Sequence, residues 1–551
     1  MKNVSFKRAL GWLALLTVIS FIAGSFLISS QPSQEQFQEF DEQLAGCTSI
    51  MVGKLASTDG SVMTAHSCDG RYRTWLNIVP HQTHPEGATN KVYSGTMRTE
   101  TSWDLRGKIL KGEIPQVEET YSFMNVCYPC MNEKQLAIGE TTITGKRELR
   151  NSEGMFMIEE LQRIALERCT TARDAIRLIG ELVKKYGYGD SGECLTFADP
   201  KEVWHFEIMG AGPLEIGAVW AAVRIPDDHV GVSANIPRIS TLDLNNPDYY
   251  MASDNVFSLA EEMEWWDPSS GEPFKFWEAY GGRRPYSIRE FYVLSTMAPS
   301  LNLTMDMEEL PFSVKPEQKV SVRDVMRYYR ETYEGTEFDA TKNLFIPASR
   351  RGRRDQPEEE TQQQMVKSPA ASPWMNSDFV NLINTLKPET IRSQRTIAIA
   401  GCSYSQIIQC RDWLPDEIGG VAWFSFDNPG ESPRIPIFAG TLELPKNFEI
   451  CGQFRYRTDS AIWKFRRTNR LALFRWGQLG PVLMDAVKEL EDKAFEELPA
   501  IEKRALELYN NGEYEKYKKF ITQYTNDFAR AAMDKWWELG DTFWFSFRGG
   551  S

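Results

Sequence analysis

Histidine and cysteine are scarce in this 551-residue sequence, which contains five of the former and nine of the latter. Nine cysteines are too few for a fold that depends on disulfides, and the odd number leaves at least one thiol without a partner in the chain. Positive charge is also in deficit, because 62 Lys and Arg residues face 76 Asp and Glu residues and give a formal net charge of −14. That balance excludes a general nucleic-acid-binding protein.

The sequence has no glycine-rich phosphate-binding motif between a predicted strand and a predicted helix, where such a motif would have to lie. We therefore expect no cofactor. What the sequence does contain is apolar material, with a hydrophobic fraction of 42% and an aromatic fraction of 12%. This composition excludes collagen-like, wholly disordered and polytopic membrane proteins. The length allows about three domains, or one large layered domain with additions.

The N-terminus carries a targeting pattern. Three basic residues, Lys2, Lys7 and Arg8, precede an uncharged run over 9–28, which is the order found in export signals. The run is also long enough to span a bilayer, so residues 1–28 are predicted to be a signal peptide or a signal anchor. We therefore expect export to the periplasm or the extracellular space, with N-terminal membrane contact before processing.

Composition changes sharply at Cys47. Residues 29–46 are polar and typical of a linker or propeptide, whereas 47–480 are predicted to form a layered α+β domain with an exposed insertion over 350–373. A helical segment is predicted over 481–551. The predicted elements are a β-hairpin over 48–52 and 62–65, helices over 155–169 and 172–185, paired strands over 218–225 and 230–234, strands over 396–400 and 420–426, and helices within 482–539.

Cys47 has three interpretations. The preceding residues Leu44, Ala45 and Gly46 complete a short box at which bacterial lipoproteins are cleaved and lipidated, but a mostly polar segment over 31–43 separates that box from the apolar run. A buried structural thiol is the second interpretation. The third is that the chain is cut between Gly46 and Cys47, which makes Cys47 the mature N-terminus.

A cut at that bond would place a nucleophile and a base on one residue. A free α-amine has a reference pKa of about 8, so it can accept the proton of its own thiol at neutral pH without a separate histidine. The small Gly46 leaves the thiol room to reach the preceding carbonyl. This chemistry is that of an N-terminal-nucleophile hydrolase.

Several sequence blocks carry a resemblance to a known family. The segment CTSIMVGKLASTDGSVMTAHSCDG that begins at Cys47 resembles the start of the mature chain in the dipeptidase and secernin family of N-terminal-nucleophile cysteine hydrolases, related to penicillin V acylase and choloylglycine hydrolase. Further blocks follow in the expected order. They are NEKQLAIGETT (132–142), GVSANIPRIS (231–240), IGGVAWFSFDNP (418–429) and WWELGDTFW (536–544).

The resemblance implies an αββα sandwich that hydrolyses amide bonds, usually those of dipeptides. Cys47 takes the place of the nucleophile, and Asp69 stands where the related acylases have an aspartate that holds the α-amine. His66 stands where those acylases have an arginine beside the thiol, and it would lower the thiol pKa only while protonated.

Two further residues follow from the resemblance. Asn235 matches an asparagine whose amide forms the oxyanion hole together with a backbone N–H near Glu140 or Thr141. Arg289 is the candidate for a late arginine near the pocket, where it could bind the free carboxylate of a dipeptide, and its rivals are Arg283 and Arg284.

Other histidines and cysteines are not predicted to bind metal. Cys127 and Cys130 form a CxxC pair without a second pair at similar spacing, which favours a disulfide or two free thiols. His205 and His229 have no ligand-spaced partner and are interpreted as core or surface residues.

The sequence thus predicts an exported, self-processed cysteine dipeptidase that acts on small peptide substrates. An N-acyl amide hydrolase is the enzymatic alternative. A lipid-anchored binding protein without enzymatic activity on the same fold is the other alternative.

Overall fold

The computed structural model describes residues 46–282, 285–348 and 364–549, and Gly46–Ser551 form one compact unit. The described residues combine helices and strands, which confirms the predicted α+β class. The predicted signal over 1–28 and nearly all of the linker over 29–46 lie outside the described residues. Among the helices that the structure describes, none is both long and apolar enough to cross a bilayer.

Two antiparallel sheets form the centre of the described chain. In spatial order, the first contains β16 (Ser313–Val314), β14 (Val230–Ser233), β1 (Thr48–Val52), β2 (Val62–Asp69), β19 (Cys402–Cys410), β20 (Val421–Phe426) and β21 (Ile435–Phe438). The second contains β15 (Tyr250–Ala252), β13 (Ala218–Ile225), β12 (Val203–Gly210), β11 (Glu193–Ala198), β10 (Ala137–Thr142), β9 (Met131–Asn132), β8 (Phe123–Asn125) and β3 (Asn77–Val79). Two-stranded pairs are formed by β4 (Gln82–Thr83) with β7 (Glu119–Thr120), β5 (Thr89–Ser94) with β6 (Ile109–Pro115), and β17 (Phe345–Pro347) with β18 (Met365–Lys367).

The helices of the described residues flank these sheets. They are α1 (Ile158–Arg168), α2 (Ala172–Tyr186), α3 (Ser258–Glu262), α4 (Ile288–Met297), α5 (Val322–Tyr328), α6 (Ser377–Leu386), α7 (Asp416–Gly419), α8 (Ala461–Leu473), α9 (Trp476–Asn510) and α10 (Tyr514–Ser546). Short 3₁₀ turns cover Thr96–Arg98, Arg147–Leu149, Pro299–Leu301 and Lys446–Glu449, and a π turn covers Trp277–Gly281.

The two sheets pack closely because small and hydroxyl side chains line the contact. Thr64 on β2 and Thr196 on β11 share a hydrogen bond of 2.6 Å between their hydroxyls. A Cβ at Gly139 would lie 2.5 Å from the Thr196 hydroxyl, so only glycine permits this approach. The contact brings β10 against β1 and β2, the hairpin that starts at Cys47.

Helices cover both sheets. Gly180 on α2 accommodates the ring of Trp220 on β13, since a Cβ there would lie 2.6 Å from the indole. On the first sheet, Trp423 of β20 stacks on Phe495 of α9 with ring centroids 4.4 Å apart. Each sheet therefore buries apolar side chains under a helical layer.

Most predicted elements are present in the structure. The hairpin that follows Cys47 is confirmed as β1 and β2, with Ser49 opposite His66, and both strands are fully buried. The helices predicted over 155–169 and 172–185 correspond to α1 and α2. Helix α9 begins at Trp476, so the predicted boundary between 480 and 481 falls inside a helix.

The predicted pairing of 218–225 with 230–234 is wrong. Both segments are strands, but β13 belongs to the second sheet and β14 pairs with β1 in the first. The turn between them is fixed by the β1–β2 loop, because the backbone N–H groups of Leu55 and Ala56 both donate to the Asp227 carbonyl. The chain therefore changes sheets at this turn.

The strand predicted over 396–400 is also absent from the described residues. The backbone N–H of Ala398 donates to the Glu331 carbonyl, and the Ala398 carbonyl accepts from the Trp374 indole. Partners from loops thus satisfy the groups that a strand ladder would have used. Of the insertion predicted over 350–373, residues 350–363 lie outside the described part, and Met365–Lys367 form β18.

A buried ion pair lies on β12. His205 Nε2 is 2.7 Å from Glu207 Oε1, and the same oxygen accepts the backbone N–H groups of Arg238 and Ile239. Burial alone would lower the pKa of His205, but Cys194 and Glu207 beside the ring outweigh burial and raise the pKa to about 10. Glu207 therefore binds a protonated ring and also anchors the loop that follows β14.

Glu207→Gln is expected to destabilise the folded chain by about 3 kcal/mol at neutral pH, because it leaves a buried imidazolium without its carboxylate. A histidine whose pKa rises on folding contributes its full stability below the unfolded pKa of about 6.5, and that stability is lost as the pH rises through the folded value of about 10. The cost of the substitution, measured by urea denaturation, should therefore shrink as the pH rises from neutrality towards about 10 and should be small above that pH. Glu119→Gln, beside the half-exposed His81, is the matched control and should cost less than about 1 kcal/mol. If Glu207→Gln costs the same at neutral pH and above about pH 10, His205 is not the protonated partner of Glu207.

Candidate active site

Cys47 is the residue immediately before β1 and is 1% exposed. The strand is held from two sides next to it: the Thr48 N–H donates to Ser67 Oγ over 3.1 Å, and the Tyr329 hydroxyl donates to the Thr48 carbonyl over 2.7 Å. The Gly46–Cys47 peptide bond is therefore fixed at the end of a central strand.

Arg289 lies in the first turn of α4, where Ser287 and Glu290 form a capping box. Its Nη1 donates to the carbonyl oxygens of Gly46 over 3.1 Å and Cys47 over 2.7 Å, and to Thr48 Oγ1 over 3.0 Å. Burial and the nearby Arg395 guanidinium lower its pKa to about 10.

The other terminal nitrogen of Arg289 is also engaged. Its Nη2 donates to the Ala234 carbonyl and to Asn235 Oδ1, each over 2.9 Å. Both terminal nitrogens thus contact atoms of the chain itself. The contact predicted between Arg289 and a substrate carboxylate stays a prediction, and its rivals Arg283 and Arg284 lie outside the described residues.

Arg395 is a second guanidinium at the same peptide bond. Its Nη2 donates both to the Gly46 carbonyl and, over 2.7 Å, to Asp69 Oδ2. The Tyr333 hydroxyl donates to the Arg395 carbonyl over 3.0 Å, and the Arg395 side chain is 20% exposed. Two arginines from distant parts of the chain therefore meet at one carbonyl oxygen.

Asp69 ends β2 and is buried at the site. Its Oδ2 accepts from Arg395 and, over 3.3 Å, from Ser67 Oγ. Its Oδ1 is buried without a hydrogen-bond partner among the described residues. Asp69 thus has a free acceptor, which the predicted role of holding an α-amine requires.

Asn235 follows β14 in a left-handed conformation, with φ of 67°. Its Nδ2 donates to the Thr142 carbonyl over 2.7 Å, and a Cβ built on Gly46 would lie 2.5 Å from its Oδ1. The amide therefore packs against Gly46 but directs its N–H to the protein backbone. The oxyanion contact predicted for Asn235 stays a prediction.

His66 and Glu140 meet the thiol inside the protein. His66 Nε2 lies 3.4 Å from Glu140 Oε2, both side chains are fully buried, and one ligand atom from each of Cys47, His66 and Glu140 lies within 4.8 Å of the others. The rings of Tyr128 and Tyr404 pack edge-on against His66 at 5.7 and 5.9 Å. The site therefore places a thiol, an imidazole and a carboxylate in one buried cluster.

The electrostatics of this cluster favour charge on both the thiol and the imidazole. A hydrogen bond from Cys68 is the main cause that lowers the pKa of Cys47; burial and Glu140 oppose it, and His66 lowers it further. Burial alone would lower the pKa of His66, but the neighbouring Cys47 thiol and Glu140 carboxylate outweigh burial and raise it to about 10. A protonated His66 places a positive charge beside the Cys47 thiol.

The structure brings all five predicted site residues together. Cys47, His66, Asp69, Asn235 and Arg289 surround the Gly46 carbonyl and the Cys47 thiol.

Sequence reasoning missed Arg395 altogether and named Glu140 only for its backbone. Arg395 lies in a loop without a motif, whereas the Glu140 side chain lies within one of the resembling blocks and could have been found there.

The histidines and cysteines without a predicted role are not ligands of this three-residue cluster. His229 Nδ1 bonds the Ser313 hydroxyl over 2.9 Å at the edge of the first sheet. Cys127 and Cys130 are free thiols rather than a disulfide, and all nine cysteines are unpaired and buried.

The site is that of a peptidase: the chain belongs to peptidase family C69, whose family model matches residues 46–489. A probable dipeptidase of Latilactobacillus sakei is 24% identical over 479 residues, covering 84% of this chain and 88% of the relative. A probable dipeptidase of Salmonella dublin is 26% identical over 412 residues, covering 72% and 82%. Dipeptidase A of Lactobacillus helveticus is 24% identical over 467 residues, covering 82% and 85%. The resemblance drawn from the sequence blocks is confirmed.

Proposed function

We propose that this peptidase is an exported dipeptidase that cuts its own Gly46–Cys47 bond and then hydrolyses dipeptides with Cys47 as the N-terminal nucleophile. The single observation that carries the proposal is the environment of the Gly46 carbonyl. That oxygen accepts hydrogen bonds from both Arg289 and Arg395, and the residue that follows it bears the candidate thiol. Export rests on the pattern over 1–28.

The proposed cut is an acyl shift. The Cys47 thiolate attacks the Gly46 carbonyl carbon, and the electron pair that moves to oxygen is stabilised by the two guanidinium groups. Collapse breaks the bond to the Cys47 nitrogen, which takes up the thiol proton and becomes an amine. Water then hydrolyses the Gly46 thioester, releases its carboxylate and restores the thiol.

Substrate hydrolysis repeats this chemistry with a free amine. The new α-amine takes the thiol proton, and Asp69 Oδ1, which is buried without a partner, provides an acceptor that can orient the ammonium group. Release of Gly46 frees the donors of Arg289 and Arg395 that had contacted its oxygen. The thiolate attacks the peptide carbonyl, and the amide bond breaks as the nitrogen of the second amino acid takes the proton from the α-ammonium group and leaves as an amine. The first amino acid remains on sulfur as a thioester, which water hydrolyses to its carboxylate and the thiol.

The layer order supports an αββα N-terminal-nucleophile fold. The two antiparallel sheets are in contact through Thr64 and Thr196, with helices on both sheets and the nucleophile before the central strand β1. Dipeptides as substrates are supported by the names of the relatives.

A panel of four compounds tests the substrate class on the processed full-length chain. They are a free dipeptide, its C-terminal amide, a longer peptide and an N-acyl amino acid. The free dipeptide should have the largest kcat/KM, and its amide should lose about ten- to a hundred-fold because a charged hydrogen bond of about 1.5–3 kcal/mol is removed. Cys47→Ala prepared in the same way measures contaminating activity. A preference for the N-acyl compound would replace the dipeptidase assignment with an acylase.

A further inference from the structure

Three buried atoms at the nucleophile have no hydrogen-bond partner among the described residues. They are both ring nitrogens of His66 and Oε2 of Glu140. Buried polar atoms without partners are rare in native proteins and call for an explanation such as a bound ion. One ring nitrogen of His66 and one carboxylate oxygen of Glu140 lie within 4.8 Å of the Cys47 sulfur, so one ion could bind all three side chains.

The spacing of the cluster fits a zinc ion. Zinc in proteins is tetrahedral, with bonds of about 2.0–2.1 Å to imidazole nitrogen and about 2.0–2.2 Å to carboxylate oxygen. The edge of a tetrahedron is about 1.6 times the centre-to-corner distance, which places those two ligand atoms about 3.4 Å apart. His66 Nε2 and Glu140 Oε2 are 3.4 Å apart, and the Cys47 sulfur lies within 4.8 Å of the other two ligand atoms.

We propose that Cys47, His66 and Glu140 form an inhibitory zinc site, with the α-amine of Cys47 as the fourth ligand in the mature enzyme. The fourth ligand rests on the function proposed above. Sulfur and amine of one N-terminal cysteine close a five-membered chelate ring, and the proton that thiol and amine share and the proton on His66 both leave on binding. Zinc thereby occupies the nucleophile and its base together, and activity is lost until the ion is removed.

The chain contains a second group of the same three residue types, which serves as a comparison. Cys194 lies 3.5 Å from His205 Nε2, which in turn lies 2.7 Å from Glu207 Oε1. That carboxylate oxygen also accepts the N–H groups of Arg238 and Ile239, and His205 Nδ1 lies 3.8 Å from Cys194, so both ring nitrogens of His205 have partners. The ring nitrogens of His66, which have no hydrogen-bond partner among the described residues, distinguish the cluster at Cys47.

Cobalt(II) provides a direct readout because a cobalt–thiolate bond absorbs in the near ultraviolet. Titration of the processed full-length chain with Co²⁺ should give a charge-transfer band that saturates at one equivalent and disappears on addition of Zn²⁺. Zinc should abolish dipeptide hydrolysis at the same equivalence, and a chelator should restore it. A wild-type chain without the band overturns the proposal.

Variants locate the ion. Glu140→Gln and His66→Asn should each weaken cobalt binding by about tenfold or more, whereas Cys194→Ser should bind as wild type does. Circular dichroism confirms that each variant is folded. Unchanged cobalt affinity in both ligand variants would place the ion elsewhere and overturn the site.

The same titration separates this inference from the proposed function. If the wild-type chain remains uncut, self-processing fails, but the three protein ligands still predict a thiolate band in the uncut chain. If the chain is cut and active but gives no band, the zinc site fails while the proposed function stands.

Discussion

Cys47→Ala is expected to yield a chain that remains joined at Gly46–Cys47 and has no measurable peptidase activity. The substitution removes the sulfur that attacks the Gly46 carbonyl, and it also leaves no thiol for substrate. Loss of a nucleophile lowers kcat by a factor on the order of 10⁴ or more, because the residues of such a site act as a unit. Intact-mass measurement of the exported protein reports the cut, and dipeptide hydrolysis reports the activity.

Two further variants sharpen this test. Cys47→Ser should be cut slowly, since a hydroxyl is the poorer nucleophile. Cys169→Ala, which removes another buried thiol, should be cut and should hydrolyse dipeptides. An active Cys47→Ala chain, or an active wild-type chain that retains the residues before Cys47, would exclude the N-terminal amine as the base.

Arg395→Gln is expected to slow the cut by about a hundred- to a thousand-fold, the usual cost of removing one donor to a developing oxyanion. The glutamine keeps a polar group beside Asp69 but brings no positive charge to the Gly46 oxygen. Arg289 still donates to that oxygen, which accounts for the remaining rate. The fraction of cut chain is followed with time by intact mass.

The surrounding loop provides the matched control for this variant. Arg392 is exposed, pairs with Glu389 over 2.6 Å, and lies three residues from Arg395. Arg392→Gln should be cut at the wild-type rate. Arg395→Lys should fall between the two, because it retains the charge but not the planar fork. A normal rate of cutting in Arg395→Gln would assign that oxyanion to Arg289 alone.

Local patterns predicted those parts of the molecule that depend on nearby residues. The hairpin after Cys47 follows from two apolar runs separated by a polar turn, and α1 and α2 follow from their apolar period. The assignment of strands to sheets could not be predicted from local patterns, because β14 pairs with the distant strand β1 and not with β13, the strand before it in sequence. Strand pairing of this kind is decided by tertiary contacts.

The same limit applies to the site. The resemblance located five residues, since they lie in ordered blocks that can be matched one at a time. Arg395 joins them only through folding, when its loop is brought against Asp69 from more than three hundred positions away. The hydrogen bonds of Arg289 could not be predicted from the sequence either, because the acceptors, the carbonyl oxygens of Cys47 and Ala234, lie in two separate segments.

The tight contact at Gly46 has a consequence for the acyl pocket. A methyl group at position 46 would lie 2.5 Å from the Asn235 amide oxygen, so the uncut arrangement fits glycine and a larger residue requires Asn235 to move. A peptide whose first residue carries a side chain cannot adopt the pose of Gly46 unless Asn235 turns away from the Thr142 carbonyl. The pocket around the uncut bond is therefore shaped for glycine. Ligands docked into it would be ranked by how small their first residue is and not by how well the cut enzyme binds them.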